Sequence, residues 1–153
     1  MSERLTAADI CTRAVAFAHR STPVDDAARL MREHHVGALV VVDETDAGRV
    51  VVGMLTDRDI VTSIVAKDLD PDIVRVEDAM STDLVSARED DSITDVLGSM
   101  RRKGVWRIPV VDTHGVLVGL VALDDLLEII AEELQLMVQA MASGRKREPI
   151  VRP

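Results

Sequence analysis

Aromatic side chains are nearly missing from this chain: Phe17 and Trp106 are the only two, and there is no tyrosine. An interior built without rings must be packed from Val, Leu, Ile, Ala and Met. Hydrophobic residues make up 47% of the 153, enough for one ordinary domain or two small halves sharing a core. The shortage also removes the stacking platforms on which single-stranded nucleic acids are held. Positive charge is short as well. A formal charge of −9 opposes a phosphate backbone, and the basic cluster Arg145-Lys146-Arg147 is too brief to reverse it and reads more simply as a solvated tail. No nucleic-acid partner is expected.

Cys11 is the only cysteine, so no intrachain disulfide can form and a reducing compartment is expected. The first residues, Met1-Ser-Glu-Arg-Leu-Thr, lack the basic and apolar stretches of a signal peptide. No apolar run approaches the roughly 20 residues needed to cross a bilayer. These absences point to a soluble, cytoplasmic protein with no membrane partner. The sequence also shows no nucleophile–base pair, no paired metal ligands and no glycine-rich phosphate loop. His34 and His35 are neighbours on an expected helix, where their side chains diverge by about 100° and cannot share a metal. The expectation is a chain with no catalytic or metal-binding residues, and so not an enzyme.

What is present is a duplication. Thr12 to Asp43 aligns without a gap onto Ser81 to Asp112 at a constant offset of 69 residues, with identities at Ala18/Ala87, Asp26/Asp95, Met31/Met100, Arg32/Arg101, Val36/Val105, Val41/Val110, Val42/Val111 and Asp43/Asp112. After the shared Asp the offset drops to 66, because the first copy has three extra residues in what reads as a loop (Glu44 to Arg49 against Thr113 to Gly115). The match resumes as Val50-Val-Val-Gly-Met-Leu-Thr-Asp-Arg-Asp-Ile against Val116-Leu-Val-Gly-Leu-Val-Ala-Leu-Asp-Asp-Leu. A period this long marks a duplicated supersecondary unit, not a solenoid. Related halves imply related clefts between them.

Periodicity changes in the same order within each copy. Short apolar segments, Val15 to Ala18 and Leu84 to Ala87, read as first strands. A helix follows, opened in copy one by Pro23 with Thr22 standing at the N-cap position, and in copy two by Asp91 or Ser92. The aliphatic runs Ala38 to Val42 and Ile108 to Val111 are dense enough to be strands buried on both faces. A second strand and a second helix complete a β-α-β-β-α unit, twice over. The class is α+β, with the two repeats related by a pseudo-two-fold axis. The expected division is residues 10–66 and 78–131 for the two repeats, with 67–77 as linker. Residues 132–153 form a helical extension that Ser143-Gly144 ends, followed by a frayed tail. Along the last helix Leu123, Leu127, Ile130, Leu134, Met137 and Met141 step 4-3-4-3-4, the seam of a helix that packs on another helix. Two readings stay open: a helix folded back on its own body, or one shared between subunits.

In this order, twice, Val36-Gly-Ala-Leu-Val-Val-Val-Asp with Gly53-Met-Leu-Thr-Asp-Arg-Asp, and Val105-Trp-Arg-Ile-Pro-Val-Val-Asp with Gly119-Leu-Val-Ala-Leu-Asp-Asp, resemble the cystathionine-β-synthase (CBS) domain family. The resemblance covers roughly Ile10 to Ile130 and is to stand-alone prokaryotic proteins made of a CBS-domain pair, the Bateman module. It implies two clefts that hold adenosyl compounds: AMP, ADP, ATP or S-adenosylmethionine. Transferred onto matching positions, one cleft would combine Thr56, Arg58 and Asp59 with Val105 and Trp106. Asp59 would grip a ribose diol, and Arg58 with the helix N-terminus would favour a phosphate. The other would combine Asp125 and Arg107 with Val36, Gly37 and Ala38 around the base. There Ala122 replaces the threonine. The plainer role for Thr56 and Asp59 is helix capping, and for Trp106 core or dimer-interface packing. Cys11 reads as a small buried thiol, with redox sensing as the less favoured role.

Together these features point to a regulatory homodimer that binds an adenine nucleotide or related compound, changes shape, and is read by an unknown protein partner. The alternative is a non-catalytic protein-interaction module whose clefts are vestigial.

Overall fold

The aliphatic run Ala38-Leu-Val-Val-Val is the centre of the first repeat, and its alternation explains how the layers stack. The computed structural model describes residues 5–151, and side chains as far as Arg145. It divides into two compact units, Met1–Val121 and Ala122–Pro153, each described by itself. In the first unit the order is α1 (Ala7–Ile10), β1 (Phe17–His19), α2 (Val24–His34), β2 (Ala38–Thr45), β3 (Gly48–Thr56) and α3 (Asp57–Ile60). Here α3 continues as a π-helical segment, Val61–Val65. Then come α4 (Val76–Ala79), β4 (Ala87–Arg88), α5 (Ile93–Lys103), β5 (Arg107–Val111) and β6 (Leu117–Ala122). The second unit is α6 (Leu123–Val151).

Each repeat contributes a three-stranded sheet, β1-β2-β3 and β4-β5-β6, with the first pair of strands parallel. In β2 the side chains of Leu39 and Val41 join Ala18, Ala27, Met31, Leu55 and Val76 in one cluster. Ala38, Val40 and Val42 join Met54 in another, against which Leu84, Leu117 and Leu120 of the second repeat pack. Side chains alternate across a strand, so one face of β2 meets the helices and the other meets the second repeat. That is why five consecutive positions of β2 are buried.

The two repeats exchange their leading segments. Thr12 and Leu120 share two backbone hydrogen bonds of 2.9 Å, and Met54 and Ser81 share two of 3.0 and 2.8 Å. Likewise Ala7 N donates to Asp91 O (2.8 Å) while Val76 N donates to Thr22 O (2.8 Å). So α1 seats on the second repeat and α4 on the first. The repeated glycines follow from this crossing. A Cβ at Gly53 would lie 2.7 Å from Met80 Sδ, and one at Gly119 would lie 2.5 Å from Cys11 Sγ. Cys11 and Met80 are equivalent positions, which makes the thiol a packing group against Gly119.

Four expectations are corrected. The N-cap of α2 is Pro23, without a side-chain bond; Thr22 instead accepts His19 N–H at 3.1 Å, at the end of β1. The three extra residues of copy one are not a loop insertion. They lengthen β2 and β3 as paired strand, with Glu44 opposite Arg49 and Thr45 opposite Gly48. The segment read as linker holds the start of α4 at Val76. Gly144 does not end α6, which runs on to Val151. A glycine inside a helix costs only about 1 kcal/mol, and Gly144 does not adopt the left-handed conformation of a C-cap. The remainder of the expected tail, residues 152 and 153, lies outside the described residues.

Candidate functional site

The end of β3 and the entry to β5 meet at a cleft of about 270 Å³. Its lining includes Thr56 and Asp59 from the first repeat and Val105, Trp106 and Arg107 from the second, with Met54, Leu84 and Val85 supplying apolar wall. The crossing of Ser81 over Met54 creates it, by carrying the chain from Ser81 to Val85 past the mouth of β3.

Thr56 ends β3 and caps α3, accepting Asp59 N–H at 3.1 Å. Asp59 returns the bond, its Oδ2 accepting Thr56 N–H at 2.9 Å. This reciprocal box satisfies two helix-end donors and fixes the rotamers of both side chains. It occupies Asp59 Oδ2 only. Among the described residues no hydrogen bond uses Asp59 Oδ1. The capping role expected from the sequence is therefore real, and it leaves half of the carboxylate available while holding it in place.

Trp106 is 72% exposed and has no core to sit in. Nothing in the described fold requires an indole there, so of its two plainer roles, core and dimer-interface packing, the core one fails. Arg107 opens β5 and is exposed at the same cleft, with no ion-paired carboxylate among the described residues. Asp83, also in the lining, pairs with Lys103 at 3.3 Å.

Not every residue expected together is brought together. Arg107 joins Thr56 and Asp59, not the Val36-Gly37-Ala38 group, because it follows Val105 and Trp106 directly into β5. Arg58 is exposed on α3 and is not part of the lining. Gly37 O accepts Asp57 N–H at 2.9 Å, and Ala38 is buried, so Val36-Gly37-Ala38 sits beside the α3 N-terminus. Asp125 stands in the first turn of α6 and is half-buried. Ser81 and Asp83 belong to the lining but were not singled out; only the 81–54 crossing, a long-range pairing, puts them there. No group of three metal-ligating side chains occurs among the described residues.

The CBS domain family model matches residues 7–66 and 76–132. The CBS domain-containing protein YhcV of Bacillus subtilis is 40% identical over 118 residues, covering 77% of this chain and 80% of that one. An uncharacterized Methanopyrus kandleri protein is 36% identical over 99 residues, and there the chain spans only 49% of the relative's length. Among solved structures, Hypoxic Response Protein I with two coordinated zinc ions matches with a TM-score of 0.73 at 33% identity, covering 81% of this chain and 98% of that one. The cytosolic domain of the Mg2+ channel MgtE in complex with ATP matches with a TM-score of 0.69 at 27% identity, covering 81% of this chain and 48% of that one. Family match, duplicated sheets and exchanged leading segments agree: the chain belongs to the CBS-domain family, as a CBS-domain pair.

Proposed function

We propose that the cleft at Thr56, Asp59, Trp106 and Arg107 binds an adenosyl compound (AMP, ADP, ATP or S-adenosylmethionine). On this reading the chain is a regulatory homodimer whose change of shape is read by a protein partner. The observation that carries this reading is the free oxygen of a carboxylate already immobilised by a capping box. A ribose diol donates two hydroxyl protons, and charge-assisted bonds of that kind contribute roughly 1.5–3 kcal/mol each. Because Thr56 N–H fixes the acid beforehand, little rotamer entropy is lost on binding.

The remaining groups suit the rest of such a ligand. An exposed indole offers a face to a purine, worth about 1–3 kcal/mol by analogy with base stacking. Arg107 offers a fork for phosphate. At about 270 Å³ the cleft is close to the lower end of ligand sites, roughly 300 Å³, which suits a nucleoside with its phosphates extending past Arg107. The ATP complex of the related MgtE domain supports the same ligand class. The cleft's polar groups are suited to holding a ligand rather than transforming it.

Thermal melts with millimolar AMP, ATP and S-adenosylmethionine test this. A ligand at 100 times its Kd adds about 2.7 kcal/mol to the native state, so at least one should raise the midpoint by several degrees. Asp59→Asn keeps an oxygen for the cap but loses the charge, and is expected to weaken binding about 10- to 100-fold with little change in the ligand-free midpoint. No shift of the wild-type protein with any of the three would favour the alternative, an interaction module whose clefts are unused.

A further inference from the structure

Helix α6 carries a stripe of large apolar side chains that is exposed among the described residues. Leu127, Ile130, Leu134, Met137 and Met141 recur at three- and four-residue steps, and all are exposed, four of them between 56% and 61%. Val138, on the flank of the stripe, is 58% exposed. Soluble surfaces rarely leave so continuous an apolar band in water. Its period is that of a helix–helix seam, and from Leu127 to Met141 it runs over two heptads.

We infer that α6 pairs antiparallel with α6 of a second copy, centred between Leu134 and Met137. The inference rests on the homodimer reading above and leaves the cleft's ligand aside. In this register Leu134 faces the partner's Met137, Ile130 faces the partner's Met141, and Leu127 faces the partner's Gly144. Gly144 is then useful as well as tolerated: with no side chain within 4 Å of its Cβ position, it leaves room for a leucine across the seam.

Charge sets the direction. The acidic residues Asp124, Glu128, Glu132 and Glu133 lie in the first part of the helix, and the basic Arg145 lies towards the other end. Antiparallel pairing brings Asp124 beside the partner's Arg145 at the flanking positions, and the two-fold axis repeats that pair. A parallel pair sets each Glu133 level with the partner's Glu133 and brings no opposite charges together across the flanks. Of the other flanking residues, Ala131, Val138 and Ala140 are small or apolar, Leu126 is buried, and Glu133 stands opposite the partner's small Ala140. From Leu123 to Arg145 the contact spans about 33 Å.

Sedimentation of the full chain tests the surface, and cross-linking tests the direction. The wild type is expected to dimerise, and Leu134→Glu, which puts a charge at the centre of the seam, to raise the dimer Kd by at least about 100-fold. Because Leu134 is exposed, the variant should keep the wild-type far-ultraviolet spectrum. In a Cys11→Ser background, Ile130→Cys with Met141→Cys should give a disulfide-linked dimer that neither single substitution gives. A wild-type dimer untouched by Leu134→Glu would place the interface elsewhere, for instance at the exposed Val61 and Val65, and overturn the inference while leaving the homodimer reading intact. A wild type monomeric at high micromolar concentration would sink both. Cross-linking by each single substitution would show parallel helices and overturn the direction.

Discussion

His35 and Gly104 occupy equivalent positions at the ends of α2 and α5, both in the left-handed region, at φ 53 and φ 63. Glycine takes that conformation freely, whereas a residue with a Cβ is strained there by about 1 kcal/mol. His35 is exposed and its ring makes no hydrogen bond among the described residues, so the strain is not offset locally. The extra freedom glycine gives the unfolded chain opposes part of the gain. His35→Gly is therefore expected to stabilise the protein by about 0.5–1 kcal/mol, read as a higher urea midpoint at an unchanged slope. A lower midpoint would mean the imidazole holds something in the native state. The same pair shows how a sequence conceals a role. Beside His34 it reads only as a helix-end or surface residue that cannot share a metal, and alignment with Gly104 marks it as the residue that ends the helix.

At the scale of elements, the β5–β6 connection turns on one carboxylate. Asp112 Oδ1 accepts the backbone N–H groups of Val116 (3.0 Å) and His114 (2.8 Å). The Val116 bond is the main reason its pKa lies below the ordinary value of 3.8, with partial burial opposing and the His114 bond assisting. A lowered native pKa gives stability that is complete above the unfolded value and is lost as pH falls through the native one. Asp112→Asn keeps an acceptor oxygen without a charge, so its share does not titrate. The expected result is a wild type that melts above Asp112→Asn at about pH 6, with the gap closing towards about pH 3. A gap independent of pH would remove the ionised turn as its cause. The difference between the two proteins is the proper readout, because other groups move the total. Asp9 and Glu44 are lowered like Asp112, whereas Asp72 is raised by the neighbouring Asp25 carboxylate. Elements of this size were legible from local pattern. The three- and four-residue spacing of Val24, Ala27, Ala28 and Met31, and of Ile93, Val96, Leu97 and Met100, marks α2 and α5, and the dense run of β2 correctly signals burial on both faces. The bulge between Val41 and Val42 was not legible, because a register shift depends on the partner strand. Nor was the fate of the three extra residues, since Glu44 and Arg49 read as loop until they are seen paired across a lengthened hairpin.

Over the whole molecule, the repeat at offsets 69 and 66 made the pseudo-symmetry legible, but not which segment serves which half. The segments Leu5–Thr12 and Arg75–Ser81 are short and carry no distinctive period, so only long-range hydrogen bonds reveal that each crosses to the other repeat. That is also why Ser81 and Asp83 are not legible as cleft residues; Arg107 lines the same cleft for another reason, its continuity with Val105 and Trp106. The exchange makes a testable demand on any attempt to divide the chain. Val76 is fully buried in the first repeat's core, with Ala79 and Met80 packed around it. Losing a buried valine of this kind removes about 1.5–3 kcal/mol, and the bonds of Val76 and Glu77 N–H to Thr22 and Arg20 go with it. A half of this length is marginal even when whole. A fragment cut at the sequence boundary, residues 1–66, lacks α4 and should show no cooperative melt by circular dichroism. A fragment of residues 14–82 keeps α4 and the Ser81 crossing on Met54, and should melt cooperatively. It should also self-associate, because the face carrying Ala38, Val40, Val42 and Met54 has lost its cover. If both fragments melt alike, α4 is an accessory to the first repeat and the exchanged segments do not hold the halves together.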